Sequence, residues 1–197
     1  MERPALLIID MQNDFVREGK PLRVAGAGKV IPKIQSVLAE FRRRSLPIFH
    51  ILRVHRMDGS DVEIIRQELF HRQPFAVAGT SGAAVIHELA PLEGEYILTK
   101  TRMSAFMGTE LGLMLGNLGV TNLVVCGIQT PNCIRTTIFD GIAYNFPVVL
   151  VDDATGAASE KVHRANIRDM QNIGVKVVKA ADLAGILDAR QAMSPKT

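Results

Sequence analysis

The stretch VVCGIQTPNCIRTTIFDGIAYNFPVVLVDDATGA, residues 124–157, contains the pattern that decides the fold. An apolar run, Asn122–Cys126, is followed by a turn and by helical spacing of apolar residues over 131–144, and a second apolar run follows at Val148–Val151. Short apolar runs suit buried strands, and a helix of this length can connect two parallel strands. The stretch therefore predicts a strand–helix–strand unit.

The same alternation extends through the rest of the chain. Further strands are predicted at Ala5–Ile9, Pro47–Val54, Tyr96–Leu98 and Val175–Val178, and further helices at about 28–44, 60–70, 108–118, 160–173 and 181–192. This pattern predicts a doubly wound, three-layer α/β/α domain with a mostly parallel sheet of about six strands. Region 55–95 has scattered glycine, proline and charge, and we expect it to cover one end of the sheet.

Length and composition limit the class of protein. The 197 residues fit one domain, expected at 1–192 with a frayed tail at 193–197, and 47% hydrophobic with 22% charged residues is ordinary for a globular chain. No apolar stretch approaches the ~20 residues of a membrane span, so we expect no membrane association. The two cysteines do not suggest a disulfide framework, which favours a cytoplasmic protein. A net charge of +3 with scattered basic residues argues against nucleic-acid binding.

Three side chains that could take part in catalysis lie at or after the ends of predicted strands. Asp10 follows the first strand, Lys100 follows the third, and the loop after Cys126 leads to Cys133. In open parallel sheets, ligands bind outside the carboxyl ends of the strands. We therefore expect the carboxylate, the ammonium group and the thiol of Cys133 to meet at one edge of the sheet.

The residues before Cys133 predict the start of a helix. Thr130 suits an N-cap and Pro131 suits the first helical position, which places Cys133 in the first turn. The positive end of the helix dipole and a nearby lysine lower a cysteine pKa, so a nucleophilic thiolate is expected. Cys126, which closes an apolar run, is interpreted as inert packing.

Each of these residues has a plainer interpretation. Cys133 could be a small buried hydrophobe, since free cysteines are commonly buried. Asp10 could form a structural ion pair with Lys100 or cap residues 12–15, and Lys100 alone could be a strand-end residue whose stem packs on apolar surface. The combination of the three at one edge favours a catalytic site.

Three segments together resemble the isochorismatase-like cysteine hydrolases over nearly the whole chain. They are LLIIDMQNDF at 6–15, KTRMSAFMGTEL at 100–111 and the nucleophile segment at 124–157, in the family's order. The resemblance implies a catalytic triad of Asp10, Lys100 and Cys133 and no cofactor. It also implies hydrolysis of a C–N bond in a small amide, carbamoyl or ureido substrate through a thioester, and a homo-oligomeric assembly.

The resemblance implies further features of the loop before the nucleophile. A non-proline cis peptide is expected at Ile128–Gln129, and the backbone N–H groups of Gln129 and Cys133 would form an oxyanion hole. Family members with glycine at the cysteine position cleave vinyl ethers without a covalent step. The thiol at Cys133 therefore places this chain with the amide-hydrolysing members.

The chain departs from the family's metal-binding members. Nicotinamidases carry Asp-x-His after the second strand, whereas the sequence here is FHILRVHRMDGSD at 49–61. His50, His55 and His71 show no spacing typical of a preformed zinc site, so no metal is expected.

Residues near the strand ends are assigned to the pocket wall by position alone. The phenylalanines in this set could stack on a flat substrate or belong to the core, and Arg53 and His55 could select a carboxylate or carbonyl or lie on the surface. The full set is Phe15, Arg53, His55, Phe106, Thr130 and Asn132.

Two rival functions remain open at this point. A dinucleotide-binding oxidoreductase would share the sheet, but the turn after the first strand, at 10–14, lacks G-x-G-x-x-G. A non-catalytic binding or scaffold relative would share the fold without a usable pocket. An isochorismatase or nicotinamidase proper is a further alternative within the family.

Overall fold

The computed structural model describes residues 1–20 and 22–191, so the tail expected at 193–197 lies outside the described residues. The strands are β1 (Pro4–Ile9), β2 (Ile48–Arg53), β3 (Tyr96–Lys100), β4 (Asn122–Ile128), β5 (Val148–Gly156) and β6 (Lys176–Val178). They form one six-stranded sheet in the order β3-β2-β1-β4-β5-β6. Every neighbouring pair is parallel.

In residues 1–20 and 22–191, seven α-helices connect or follow these strands. They are α1 (Asn13–Val16), α2 (Ala27–Arg43), α3 (Ile64–Arg72), α4 (Leu111–Asn117), α5 (Arg135–Ala143), α6 (Glu160–Asn172) and α7 (Ala180–Gln191). A single π-helical turn, Thr130–Ile134, precedes α5, and short 3₁₀ turns lie at Ser81–Ala83 and His87–Leu89. The predicted doubly wound α/β fold is confirmed. Within the described part of the chain, no helix has the length and apolar character needed to cross a bilayer.

The alternation of side chains along β1 shows how the three layers are built. Leu6 and Ile8 point to one face and pack in a cluster with residues of α2 and α7. Leu7 and Ile9 point to the other face and pack with residues of α4, α5 and α6. Both faces are fully buried, which is why β1 is a continuous apolar run rather than an alternating one.

Several boundaries differ from the sequence expectations. The helix expected from 131 begins as the π-helical turn, and α3 begins at Ile64 rather than near residue 60. β5 continues to Gly156, beyond the expected end at Val151, after a register shift against β4. A register shift of this kind depends on the neighbouring strand, so the apolar pattern of β5 alone does not indicate it.

Region 55–95 packs over the carboxyl edge of the sheet. Gln12 and His55, which follow β1 and β2, form isolated bridges with Val85 and Val77 of this region. The side-chain amide of Gln12 donates to the carbonyl oxygens of Arg53 and Ala83, both at 2.7 Å. These buried bonds tie the covering region to the strand ends where the candidate site lies.

Candidate active site

The sheet brings two of the expected residues together at its carboxyl edge. Asp10 directly follows β1 and Lys100 ends β3, and the two are buried. The Lys100 ammonium donates to Asp10 Oδ2 at 3.0 Å and to the carbonyl of Arg102 at 3.2 Å. Asp10 Oδ1 has no hydrogen-bond partner among the described residues. One carboxylate oxygen is thus fixed by a cation while the other is available.

Gly127 allows β4 to approach the backbone that leads to Asp10. It has φ +111°, and a Cβ atom there would lie 2.2 Å from the carbonyl oxygen of Ile9. No other residue type fits that separation or that backbone conformation. The glycine therefore brings the loop that carries the thiol close to the carboxylate.

The third expected residue, Cys133, lies in the π-helical turn that follows β4. Its side chain is 8% exposed and its Sγ lies 4.0 Å from Nη2 of Arg53. The Ile128–Gln129 peptide bond is cis, as the family resemblance implied. The structure therefore brings Asp10, Lys100 and Cys133 together, and their catalytic roles remain a proposal.

The protonation state of the thiol differs from the sequence expectation. Burial raises the pKa of Cys133, the charge of Asp10 raises it further, and Lys100 and Arg53 offset these effects only in part. The expected lowering of the pKa is wrong for the free protein, because burial and the nearby Asp10 carboxylate outweigh the charges of Lys100 and Arg53. Burial also raises the pKa of Cys126, which has no exposed surface.

A cavity of about 290 Å³ opens beside the thiol. It is lined by Asp10, Phe15, Leu22, Arg23, Val24, Arg53, Arg66, Met103, Ile128, Gln129, Asn132 and Cys133. Five residues expected on the pocket wall or in the oxyanion hole are in this set, namely Phe15, Arg53, Gln129, Asn132 and Cys133. Gln129, whose backbone N–H was expected in the oxyanion hole, is thus at the cavity wall.

Thr130 does not line the cavity, which corrects the sequence assignment. It is fully buried, and the residue at the N-cap position is Gln129, which makes no side-chain capping bond. The Thr130 hydroxyl lies 3.0 Å from the carbonyl oxygen of Gly156 and 2.8 Å from Nδ1 of His163. Nε2 of His163 in turn lies 2.9 Å from Asp152. The hydroxyl thus anchors the nucleophile loop to β5 and α6.

His55 and Phe106 are also placed away from the cavity, which corrects two further assignments. His55 is fully buried and lies edge-on to Phe70 and Phe75 at 5.8 and 5.5 Å between ring centroids. Phe106 stacks on Tyr144 at 5.0 Å, on the face of the sheet opposite the covering region. The side chain of an aromatic residue next to a strand end can point either into the cavity or into the core. Its position in the sequence does not decide between the two.

The described residues do not fit a metal site. No group of three or more His, Cys, Asp or Glu side chains in residues 1–20 and 22–191 could hold an ion. His50 is buried against Glu95 at 2.8 Å, His55 lies among phenylalanines, and His71 is exposed. The carboxylate of Glu63, near His55 in sequence, accepts a hydrogen bond from the Arg53 guanidinium at 2.9 Å.

The sequence analysis did not identify Arg66, a half-buried residue of α3 that lines the cavity. It is the third residue of that helix, where a cation opposes the helix dipole. That unfavourable placement is a signal, but it requires the helix start to be known. The sequence pattern places that start near residue 60, whereas the helix begins at Ile64.

The fold and the site define an α/β protein with a cysteine, a carboxylate and a lysine gathered beside a small pocket. The family model for the isochorismatase domain matches residues 4–182. The chain therefore belongs to the isochorismatase family of hydrolases.

Individual relatives agree with this assignment. The chain is 43% identical over 176 residues to a probable inactive nicotinamidase from Arabidopsis thaliana, covering 87% of this chain and 90% of that protein. It is 29% identical over 190 residues to N-carbamoylsarcosine amidase from Arthrobacter, covering 95% and 72%. The solved structure of an isochorismatase family protein from Desulfovibrio vulgaris is 45% identical with a TM-score of 0.92, covering 95% of this chain and 99% of that one.

Proposed function

We propose that this protein is a cysteine-dependent amidohydrolase that cleaves a C–N bond of a small amide, carbamoyl or ureido compound through a thioester. The observation that carries the proposal is the difference between the two carboxylate oxygens of Asp10. Its Oδ2 is held by Lys100 at 3.0 Å, while its Oδ1 is not hydrogen-bonded within the described residues, and the carboxylate lies close enough to Cys133 to raise the pKa of the thiol. A carboxylate fixed in this way is suited to accept one proton.

Because the pKa of the Cys133 thiol is raised, the Asp10 carboxylate is needed as the base that accepts the thiol proton. A thiol that is largely protonated in the free protein needs a base at the moment of attack. Asp10 accepts the thiol proton as Sγ forms a bond to the substrate carbonyl carbon. The charge that develops on the carbonyl oxygen is met by the backbone N–H groups of Gln129 and Cys133.

The remaining steps use the same carboxylate. Asp10 transfers its proton to the substrate nitrogen as the C–N bond breaks, and ammonia or an amine leaves with the acyl group bound to Sγ. Asp10 then removes a proton from a water molecule that attacks the thioester carbon. The C–S bond breaks, the thiol regains its proton, and the carboxylic acid product leaves. Lys100 keeps Asp10 in place throughout.

The proposal is tested by release of ammonia from a panel of amide, carbamoyl and ureido compounds. Cys133→Ala should lower turnover by at least about a thousandfold, whereas Cys126→Ala, which removes the buried thiol outside the cavity, should retain it. Mass spectrometry of acid-quenched enzyme should show an acyl adduct on the peptide containing Cys133. Full turnover by a folded Cys133→Ala protein would contradict the proposal.

A non-catalytic role is the second candidate, favoured by the similarity to a plant protein described as probably inactive. Against it stand the free oxygen of Asp10 and the open cavity beside the thiol. Absence of turnover on the whole panel, with no adduct at Cys133, would favour the non-catalytic candidate. A cytoplasmic homo-oligomer remains the expected form, to be tested by light scattering of the purified protein.

A further inference from the structure

The cavity wall carries an excess of positive charge. Three arginines line it, Arg23, Arg53 and Arg66, and Lys100 lies directly behind Asp10. Within the described residues most of these cations have an anionic partner. Lys100 pairs with Asp10 at 3.0 Å, Arg53 with Glu63 at 2.9 Å, and Arg23 with Glu18 at 3.1 Å.

Arg66 is the exception. Among residues 1–20 and 22–191, no carboxylate lies within ion-pair distance of its guanidinium. Its Cζ instead lies over the Phe75 ring, 5.0 Å from the centroid. A cation–π contact of this kind does not consume the N–H donors of the guanidinium, which stay free to donate hydrogen bonds.

The surroundings make this unpartnered cation costly. Arg66 is half-buried, and burial lowers its pKa, with the charge of Arg53 lowering it further; the charges of Glu63, Cys133 and Asp10 offset these effects only in part. A partly desolvated cation beside a second guanidinium is stabilised most by an anion that enters the cavity. The Glu63 carboxylate does not fill this role, because both of its oxygens contact Nη1 of Arg53, at 2.9 and 3.1 Å.

We infer that the substrate carries a carboxylate, and that Arg66 binds it through the N–H donors that the contact with Phe75 leaves free. The inference rests on the proposed amidohydrolase function and names the substrate class of that site. A bidentate carboxylate–guanidinium contact would fix one end of the substrate while its amide carbon lies beside Cys133. Neutral amides of the same size would leave the Arg66 cation unpaired and would bind less well.

Binding to the Cys133→Ala protein tests the inference without turnover. The probes are succinamate, glutaramate and N-carbamoylglycine, each compared with its own methyl ester, which has the same amide but no charge. We expect at least one carboxylate to bind about 10- to 100-fold more tightly than its ester, as measured by calorimetry. If every carboxylate binds no better than its ester, the inference is wrong.

Variants at position 66 assign the effect to this side chain. In the Cys133→Ala background, Arg66→Gln should remove the preference for carboxylate over ester, and Arg66→Lys should retain part of it. The matched control is Arg72→Gln, because Arg72 lies on the same helix, is 71% exposed and contacts Glu68 rather than the cavity. A carboxylate preference that persists in a folded Arg66→Gln protein, or that is lost equally in the control, would overturn the assignment to Arg66.

Failure of this inference is distinguishable from failure of the proposed function. Carboxylate-selective binding without ammonia release by the unmodified protein would retain the binding site and contradict the amidohydrolase proposal. Ammonia release from neutral amides, with no preference for a carboxylate, would support the amidohydrolase proposal and contradict the inference that Arg66 binds a substrate carboxylate.

Discussion

Replacing Lys100 by methionine should show how much the free energy of unfolding falls when the buried Lys100–Asp10 ion pair is broken. Methionine keeps an unbranched apolar stem but removes the ammonium group that contacts Asp10 and the Arg102 carbonyl. Asp10 would then be a carboxylate, 4% exposed, with no partner on either oxygen. Removing one partner of a buried pair typically costs about 3–5 kcal/mol, so we expect Lys100→Met to lose roughly that much stability.

The reverse change should be milder, because the two partners differ in their remaining contacts. In Asp10→Asn, the Lys100 ammonium keeps the carbonyl of Arg102 as an acceptor, at 3.2 Å. The double variant has neither charge and should be more stable than Lys100→Met alone. We expect a coupling free energy of about 2 kcal/mol between the two positions.

Urea denaturation of the four proteins measures these differences, provided that their m values agree. Lys176→Met is the control, because Lys176 is an exposed lysine of β6, and its stability should stay within about 0.5 kcal/mol of the unmodified protein. The reasoning fails if Lys100→Met loses less than about 1 kcal/mol, or if the double variant is no more stable than Lys100→Met.

Three further predictions concern the thiol, its loop and acid stability. Asp10→Asn should shift the pH profile of iodoacetamide labelling at Cys133 to lower pH, because the anion that raises the thiol pKa is gone, while turnover falls; an unchanged profile would argue against this coupling. Thr130→Val should cost about 1–3 kcal/mol in urea denaturation, because it leaves buried polar partners unpaired, whereas Thr130→Ser should retain most of the stability. The pKa of Glu95 is lowered to about 2, because hydrogen bonds from Arg42, the Leu92 N–H and His50 outweigh the effect of burial. The resulting stabilisation of about 3 kcal/mol is present above the unfolded value of about 4.3 and is lost as pH falls towards 2, so Glu95→Gln should flatten the acid limb of the stability curve.

The sequence predicted the sheet and the central residues of the site for a common physical reason. Asp10 and Lys100 follow apolar runs that predict strands, and the carboxyl ends of parallel strands meet at one edge of the sheet. The local sequence pattern and the topology therefore both predict that these two residues lie at that edge. Arg66 was not predicted because its helix lies in the irregular region over the strand ends, where apolar spacing is weak. His55 and Phe106 were misplaced because which side of a strand end an aromatic ring occupies is decided by packing.

The thiol pKa shows a different limit of sequence reasoning. Lys100 was found correctly as a neighbour of Cys133, but the degree of burial of the thiol was not predicted. Desolvation depends on how many segments close over an atom, and those segments come from distant parts of the chain. The sign of a pKa shift is therefore harder to predict than the identity of the groups that cause it.

The burial of the Cys133 sulfur, which raises the pKa of the thiol, also bears on how the protein withstands oxidants. Peroxide attacks thiolates, and sensor cysteines are oxidised to sulfenic acid because they are anionic and accessible at rest. Under the proposed mechanism, the Cys133 proton is removed only when a substrate is bound, so the thiol would be protected from peroxide in the absence of substrate. Oxidative inactivation should accordingly be slow in the resting protein.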